Sequence, residues 1–86
     1  MKTFDFVISS PDGNIFEGQI VSIIVRGVSG ELAVLAGHIP FVTSLKPCDC
    51  KIEFEDGTEK TGKVDGGLLS VTKEKTTLFS GSFQWK

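Results

Sequence analysis

Apolar residues in this chain come in short runs that alternate with polar ones and stop at Gly, Pro, Asp or Asn, the pattern of strands joined by tight turns. Residues 3–9 put Phe4, Phe6 and Ile8 on one face and Thr3, Asp5, Val7 and Ser9 on the other. Pro11, Asp12 and Gly13 then supply turn chemistry. Residues 15–27 read as two strand-like runs with a break near Gly18, and the next turn falls at 28–31. Residues 31–35 set Leu32 and Val34 against Ala33 and Leu35. After the bend Ala36-Gly37-His38-Ile39-Pro40 a strand resumes at Phe41. Residues 48–64 read as a hairpin across Asp56-Gly57, a two-residue turn signal. Asp65-Gly66-Gly67 and the run 73–75 then punctuate two further strands, and the tail holding Phe83 and Trp85 offers a last short one.

The count is about eight to ten strands and no helix, because β-branched residues and glycines interrupt every helical window. The predicted fold is all-β, a small two-sheet β-sandwich or flattened barrel forming one domain over residues 1–86. Phe4, Phe6, Ile23, Val25, Leu32, Val34, Leu69 and Val71 are expected in its core, together with the strand phenylalanines Phe16, Phe41, Phe54 and Phe79. Ile20, Ile24 and Leu68 lie on the second faces of their runs and are expected to form an exposed apolar patch.

Composition narrows the function. At 86 residues there is room for one small core, and the net charge of -2 removes the electrostatic basis for binding nucleic acid or an anionic membrane. No stretch approaches the roughly 20 apolar residues that span a bilayer, and the N-terminus lacks the apolar core and small-residue cleavage site of a signal peptide. A soluble or peripheral, cytoplasmic chain is expected, with Cys48 and Cys50 as free thiols because residues two apart on a strand would bridge only under strain.

Little catalytic chemistry is legible. His38 is the one histidine, and no motif pairs it with a nucleophile. With Cys48 and Cys50 it would still want a fourth metal ligand, and their spacing is not that of a zinc site. No phosphate-cradling glycine motif opens a helix. Lys60 sits in a hairpin where a carrier domain holds its cofactor, but no methionine stands beside it. The residues predict no enzyme, no cofactor and no metal.

The order of motifs is more specific. Phe16-Glu17-Gly18, then Gly27-x-x-Gly30-Glu31-Leu32, Gly37-His38-Ile39-Pro40, Leu45-Lys46-Pro47 and Asp65-Gly66-Gly67-Leu68-x-x-Val71 follow one another at set spacing. From about Thr3 to Phe79 the chain resembles the N-terminal β-sandwich of the epsilon subunit of F-type ATP synthases. It departs at Ala36, where that family often has proline, and at Cys48, where it usually has glycine. The resemblance implies a non-catalytic central-stalk domain linking the gamma subunit to the membrane c-ring, peripheral to the cytoplasmic face of a bacterial inner membrane. It implies ring-facing contacts at Glu31, Gly37, His38 and Pro40. Because the chain stops at Lys86, the family's C-terminal helical pair is expected to be absent, and with it helical inhibition and nucleotide binding. A free-standing β-barrel binding module is the alternative, and it requires a basic, aromatic exposed face.

Overall fold

The computed structural model describes residues 2–27, 30–37 and 40–86. Eight strands form in chain order: β1 (Phe4–Ser10), β2 (Gly13–Ile20), β3 (Ser22–Gly27), β4 (Gly30–Leu35), β5 (Phe41–Glu53), β6 (Glu59–Val71), β7 (Lys75–Phe79) and β8 (Phe83–Trp85). Among the described residues none is helical. One hydrogen-bonded path, β2-β1-β7-β6-β5-β3-β4, joins all but β8, which pairs with β6. Neighbours are antiparallel except β1 and β7, which run parallel.

That path folds over into two layers at a corner in its longest hairpin. β5 and β6 are each 13 residues long and keep one register from Phe41↔Val71 to Glu53↔Glu59. Midway, Pro47 stands opposite Asp65, next to Gly66 and Gly67 at φ 89° and 156°. There β3 slips against β5: Ile24 pairs with Lys51 but Gly27 with Leu45, so residues 46–50 face only residues 25–26. A bulge of this kind bends and twists a strand. The result is 22 Å across its thinnest dimension, too thick for one sheet and right for two packed about 10 Å apart. Pro47 and Asp65-Gly66-Gly67, read from sequence as strand breaks, are corners inside continuous strands, which is why the count falls at eight.

The core lies between the layers. Phe6, Ile8, Ile20, Ile23, Ile52, Leu69 and Leu78 are fully buried, with Val25, Val34, Val71 and Cys50 beside them. Phe4 and Leu32 are half-buried against this cluster. Two core assignments need correction. Ile20, expected on the surface, is inside because β2 ends there and the chain turns at Val21, not at Gly18, with the Val21 N–H donating to the Glu53 carbonyl. Phe79, expected inside, is exposed. Leu78 takes the inward position of β7, and alternation sends Phe79 out.

The open side edges of the two layers are closed by an aromatic seam. Phe16 of β2 meets Phe6 at 6.0 Å, Phe54 at 5.9 Å and Trp85 of β8 at 6.1 Å between ring centroids, and Phe83 meets Trp85 edge-on at 4.9 Å. Two glycines give these rings their seats. A Cβ on Gly62 would fall 2.3 Å from the Phe83 ring, and one on Gly18 would lie 3.1 Å from Phe16. Lys60 stands 5.4 Å over the Trp85 ring, and the Lys86 ammonium pairs with Asp49 at 2.6 Å. The hairpin tip is a three-residue loop, not the two-residue turn expected. The Gly57 N–H donates to the Phe54 carbonyl, and Gly57 takes φ 89°. Two Thr58 donors hold the Asp56 carboxyl below the usual carboxylate range.

Candidate docking surface

The outer face of β1, β7, β6 and the first half of β5 carries two adjacent rows without a single charge. Ladder pairing sets Ser9 beside Phe79, Phe79 beside Leu68 and Leu68 beside Ser44. The next row runs Val7, Thr77, Ser70, Val42. The inward neighbours of these residues build the core, so the outward ones are left to solvent: Val42 is 63% exposed, Phe79 45% and Leu68 39%. Charges return at the margin, where Asp5 pairs across the ladder with Lys75. Large apolar side chains set together on an outer sheet face, spaced by small hydroxyls, have the make-up of a surface that a partner covers. Of the expected patch, Leu68 belongs to this face, Ile24 is half-buried on β3 elsewhere, and Ile20 is not exposed at all.

The residues singled out by resemblance do not form one cluster. Glu31 is exposed on β4, opposite Arg26, and lines a cleft with Ile24, Cys48 and Asp49 at the end where β3 meets β4. Gly37 (φ 84°) and Pro40 are exposed beyond the other end of β4 and line a different cleft with Phe4, Leu35 and the β6–β7 turn. His38 lies outside the described residues.

Among the described residues no three His, Cys, Asp or Glu side chains converge so as to hold a metal ion. Cys48 and Cys50 are free thiols. Cys48 is half-buried, and its Sγ contacts the Arg26 carbonyl on β3 at 3.7 Å. Cys50 is fully buried and interacts with the Gly62 backbone of β6. Burial pushes the Cys50 thiol up to about 11, against a smaller lowering by that backbone contact. A group so placed stays protonated and is a poor nucleophile.

The molecule is thus an all-β sandwich with an uncharged outer face that exposes Val42, Leu68 and Phe79. A family model describing the β-sandwich domain of the ATP synthase delta/epsilon chain matches residues 3–86. The ATP synthase epsilon chain of Acinetobacter baylyi is 36% identical over 80 residues, covering 93% of this chain and 58% of the relative. The chain belongs to this delta/epsilon family through its β-sandwich domain. Among solved structures, a chain of the Euglena gracilis mitochondrial ATP synthase (OSCP/F1/c-ring, rotational state 1) superposes with a TM-score of 0.91 at 24% identity, over 96% of this chain and 53% of its own. A chain from the central stalk and c-ring of the Tetrahymena thermophila mitochondrial enzyme gives 0.79 at 12% identity, over 95% and 66%. At those identities the two structures establish the fold. The chain spans little more than half the length of the epsilon relative it matches.

The uncharged face was partly legible. Phe41-Val42, Leu68-Leu69 and Leu78-Phe79 are apolar doublets in otherwise alternating strands, and a doublet must send one side chain outward. Which member faces out depends on register, and register became visible only in the ladder.

Proposed function

We propose that this domain serves in the rotor stalk of an F-type ATP synthase, seated on the gamma subunit through the Val42–Leu68–Phe79 face and turned toward the c-ring at its Glu31 end. It passes torque between them and makes or breaks no bonds itself. It is then peripheral to the cytoplasmic face of a bacterial inner membrane, held there by the complex. The observation that carries this reading is the uncharged outer face on a sandwich of the delta/epsilon family. A torque-bearing part needs a rigid body and a surface that binds without chemistry. Both follow from the corner hairpin and the two outward rows.

The ring-facing set divides on this reading. From Glu31 to the end of β4 at Leu35 the strand runs about 13 Å before the turn that holds Gly37, and the two groups line different clefts, so one flat surface met end-on does not touch both. Glu31 therefore faces the ring. Gly37 and Pro40 shape the opposite end, on the side of the catalytic head. A polar contact at Glu31 supplies register more than affinity.

Reconstitution with purified gamma tests the assignment. Leu68→Ser/Phe79→Ser is expected to lose gamma in co-purification while keeping the native spectrum, and Glu31→Lys to keep gamma but weaken retention on the c-ring. A double variant that holds gamma like the parent chain overturns the proposal.

A further inference from the structure

β8 is the strand that the rest of the sheet can lose. It stands off the hydrogen-bonded path and pairs, among the described residues, with β6 alone, over Gly62↔Trp85, Lys63↔Gln84 and Val64↔Phe83. On its other side β6 keeps a continuous register to β5, so lifting β8 breaks no other ladder. Two backbone bonds flank the strand: the Asp65 N–H donates to the Ser82 carbonyl at 3.2 Å and the Lys86 N–H to the Thr61 carbonyl at 2.8 Å. Its ion pair, Lys86 with Asp49, joins side chains that are half exposed, where water and salt weaken it. The chain is pinned just before β8. Ser80 is buried, its N–H donates to the Ser9 carbonyl at 3.0 Å, and its hydroxyl donates to the Gly66 carbonyl. Gly81 follows with open space where a Cβ would stand. Residues 81–86 therefore form a unit that hinges at Gly81 while Ser80 stays in place.

What β8 covers is shaped to it. The φ of Gly62 lies outside the left-handed region, so its backbone would accept any residue. A Cβ there would fall 2.3 Å from the tip of the Phe83 ring and 2.8 Å from the next ring atom. Glycine inside a strand weakens it and marks a close approach, and here the approaching group is Phe83. Two positions on, Trp85 meets Phe16 of β2 at 6.1 Å and lies under Lys60 at 5.4 Å. Asp49 takes the lysine that follows. The groove thus holds one aromatic over Gly62, a second between Phe16 and Lys60, and a lysine at Asp49. This is strand addition, in which main-chain bonds hold the segment and seats for alternate side chains select it.

We infer that the β6 edge over residues 61–65 is a strand-accepting site for an extended aromatic-x-aromatic-lysine segment. In the closed chain its own Phe83–Lys86 fills the site, and when β8 lifts about Gly81 the same segment of a second copy takes its place. The short tether holds β8 at an effective concentration of roughly millimolar order, so the closed form dominates while the chain's own β8 is intact. The site lies in the other layer from the Val42–Leu68–Phe79 face and does not rest on the role proposed for that face.

Two full-length variants test this by complementation. Phe83→Ser/Trp85→Ser leaves the groove empty, and Gly62→Val fills the seat of Phe83 and sets β8 free. The first, labelled with 15N, is titrated with the second, and separately with an acetylated and amidated peptide of residues 81–86. Both are expected to give saturable shifts at residues 61–65, with dissociation constants on the order of 0.1–1 mM. The peptide with serine at both aromatic positions should give none, and the parent chain should bind the native peptide at least about tenfold more weakly, because its own β8 competes. In the parent chain the Asp65 amide should exchange its proton about tenfold or more faster than the Ser80 amide, after correction for intrinsic rates. Equal protection of those two amides overturns the inference, as does failure of Phe83→Ser/Trp85→Ser to fold or to bind the peptide. Where Gly62→Val does not fold, the peptide decides. Where it folds and does not bind while the peptide does, exchange between copies is overturned.

Discussion

Two regions of this sandwich use the same residue types to opposite ends. The seam built on Phe16, Phe54, Phe83 and Trp85 sets aromatic rings over glycines and closes the layer edges. The outer face also pairs a phenylalanine and a leucine with glycines, Gly67 and Gly81, yet it stays open. The difference lies in what stands opposite. Phe16 meets rings of Phe6, Phe54 and Trp85, which come from distant parts of the chain, and Phe83 packs edge-on against Trp85 and over Gly62, so burial here is completed by the chain itself. Phe79 and Leu68 are ladder partners of each other, flanked by Ser9 and Ser44, and both stay exposed. Apolar area is thus spent on stability in one place and left unspent in the other, and only the second can serve a partner.

The largest test of this contrast is Phe16→Ala. Phe16 touches Phe6, Phe54 and Trp85, and its loss leaves a gap that rigid strands fill poorly. Chemical denaturation should report a loss of about 2–4 kcal/mol, a large part of what a domain this small holds. A loss below about 0.5 kcal/mol would mean that the rings adjoin without closing anything.

Cys50 gives a second probe, because it sits on β5 opposite Gly62, the glycine that seats Phe83. Its thiol is raised from 9.0 to about 11 by burial. The folded chain therefore keeps a proton that the unfolded chain gives up above pH 9, and the sign follows. The contribution is fully present below about pH 9 and is lost as pH rises toward 11. Up to roughly 2–3 kcal/mol should disappear over that window, and Cys50→Ala should flatten this part of the profile. Equal stability curves for the two proteins between pH 8 and 11 would show that water reaches the interior beneath the seam.

The contrast also explains what could be read beforehand. Alternation in β1, β3, β4 and the later half of β6 identified Phe6, Ile23, Val25, Val34, Leu69 and Val71 as core, because in a small sandwich one face of each strand has nowhere else to go. Motif order identified the family, since glycines and prolines at fixed spacing encode corners that only one topology needs. Three features escaped. Pro47 and Gly66-Gly67 look like strand ends in sequence, but they bend a hairpin whose pairing continues past them, and pairing is non-local. Phe79 looks like core because phenylalanine usually is, and its neighbour Leu78 won the inward site through register alone. Glu31 and Pro40 look adjacent because nine positions separate them, but a strand of extended backbone carries them to opposite ends.

The smallest expected change in stability is the most telling. Leu68→Ser/Phe79→Ser removes two large side chains from the same layer that Phe16→Ala attacks from within. By composition alone it should cost more, since it deletes more apolar atoms. Exposure argues otherwise: Phe79 and Leu68 already meet water over 45% and 39% of their surfaces, and neither supports a ring across the layers. What is lost is their contact with each other along one ladder row, worth a few tenths of a kcal/mol to about 1. Serine keeps the backbone pairing and adds a hydroxyl that water satisfies, so it leaves no unpaired polar group behind. The double variant should therefore unfold within about 1 kcal/mol of the parent chain, less than Phe16→Ala alone, and should be more soluble, because a contiguous apolar surface has gone. A loss of 3 kcal/mol or more would place Phe79 and Leu68 in the same structural role as the seam and erase the distinction between the two regions.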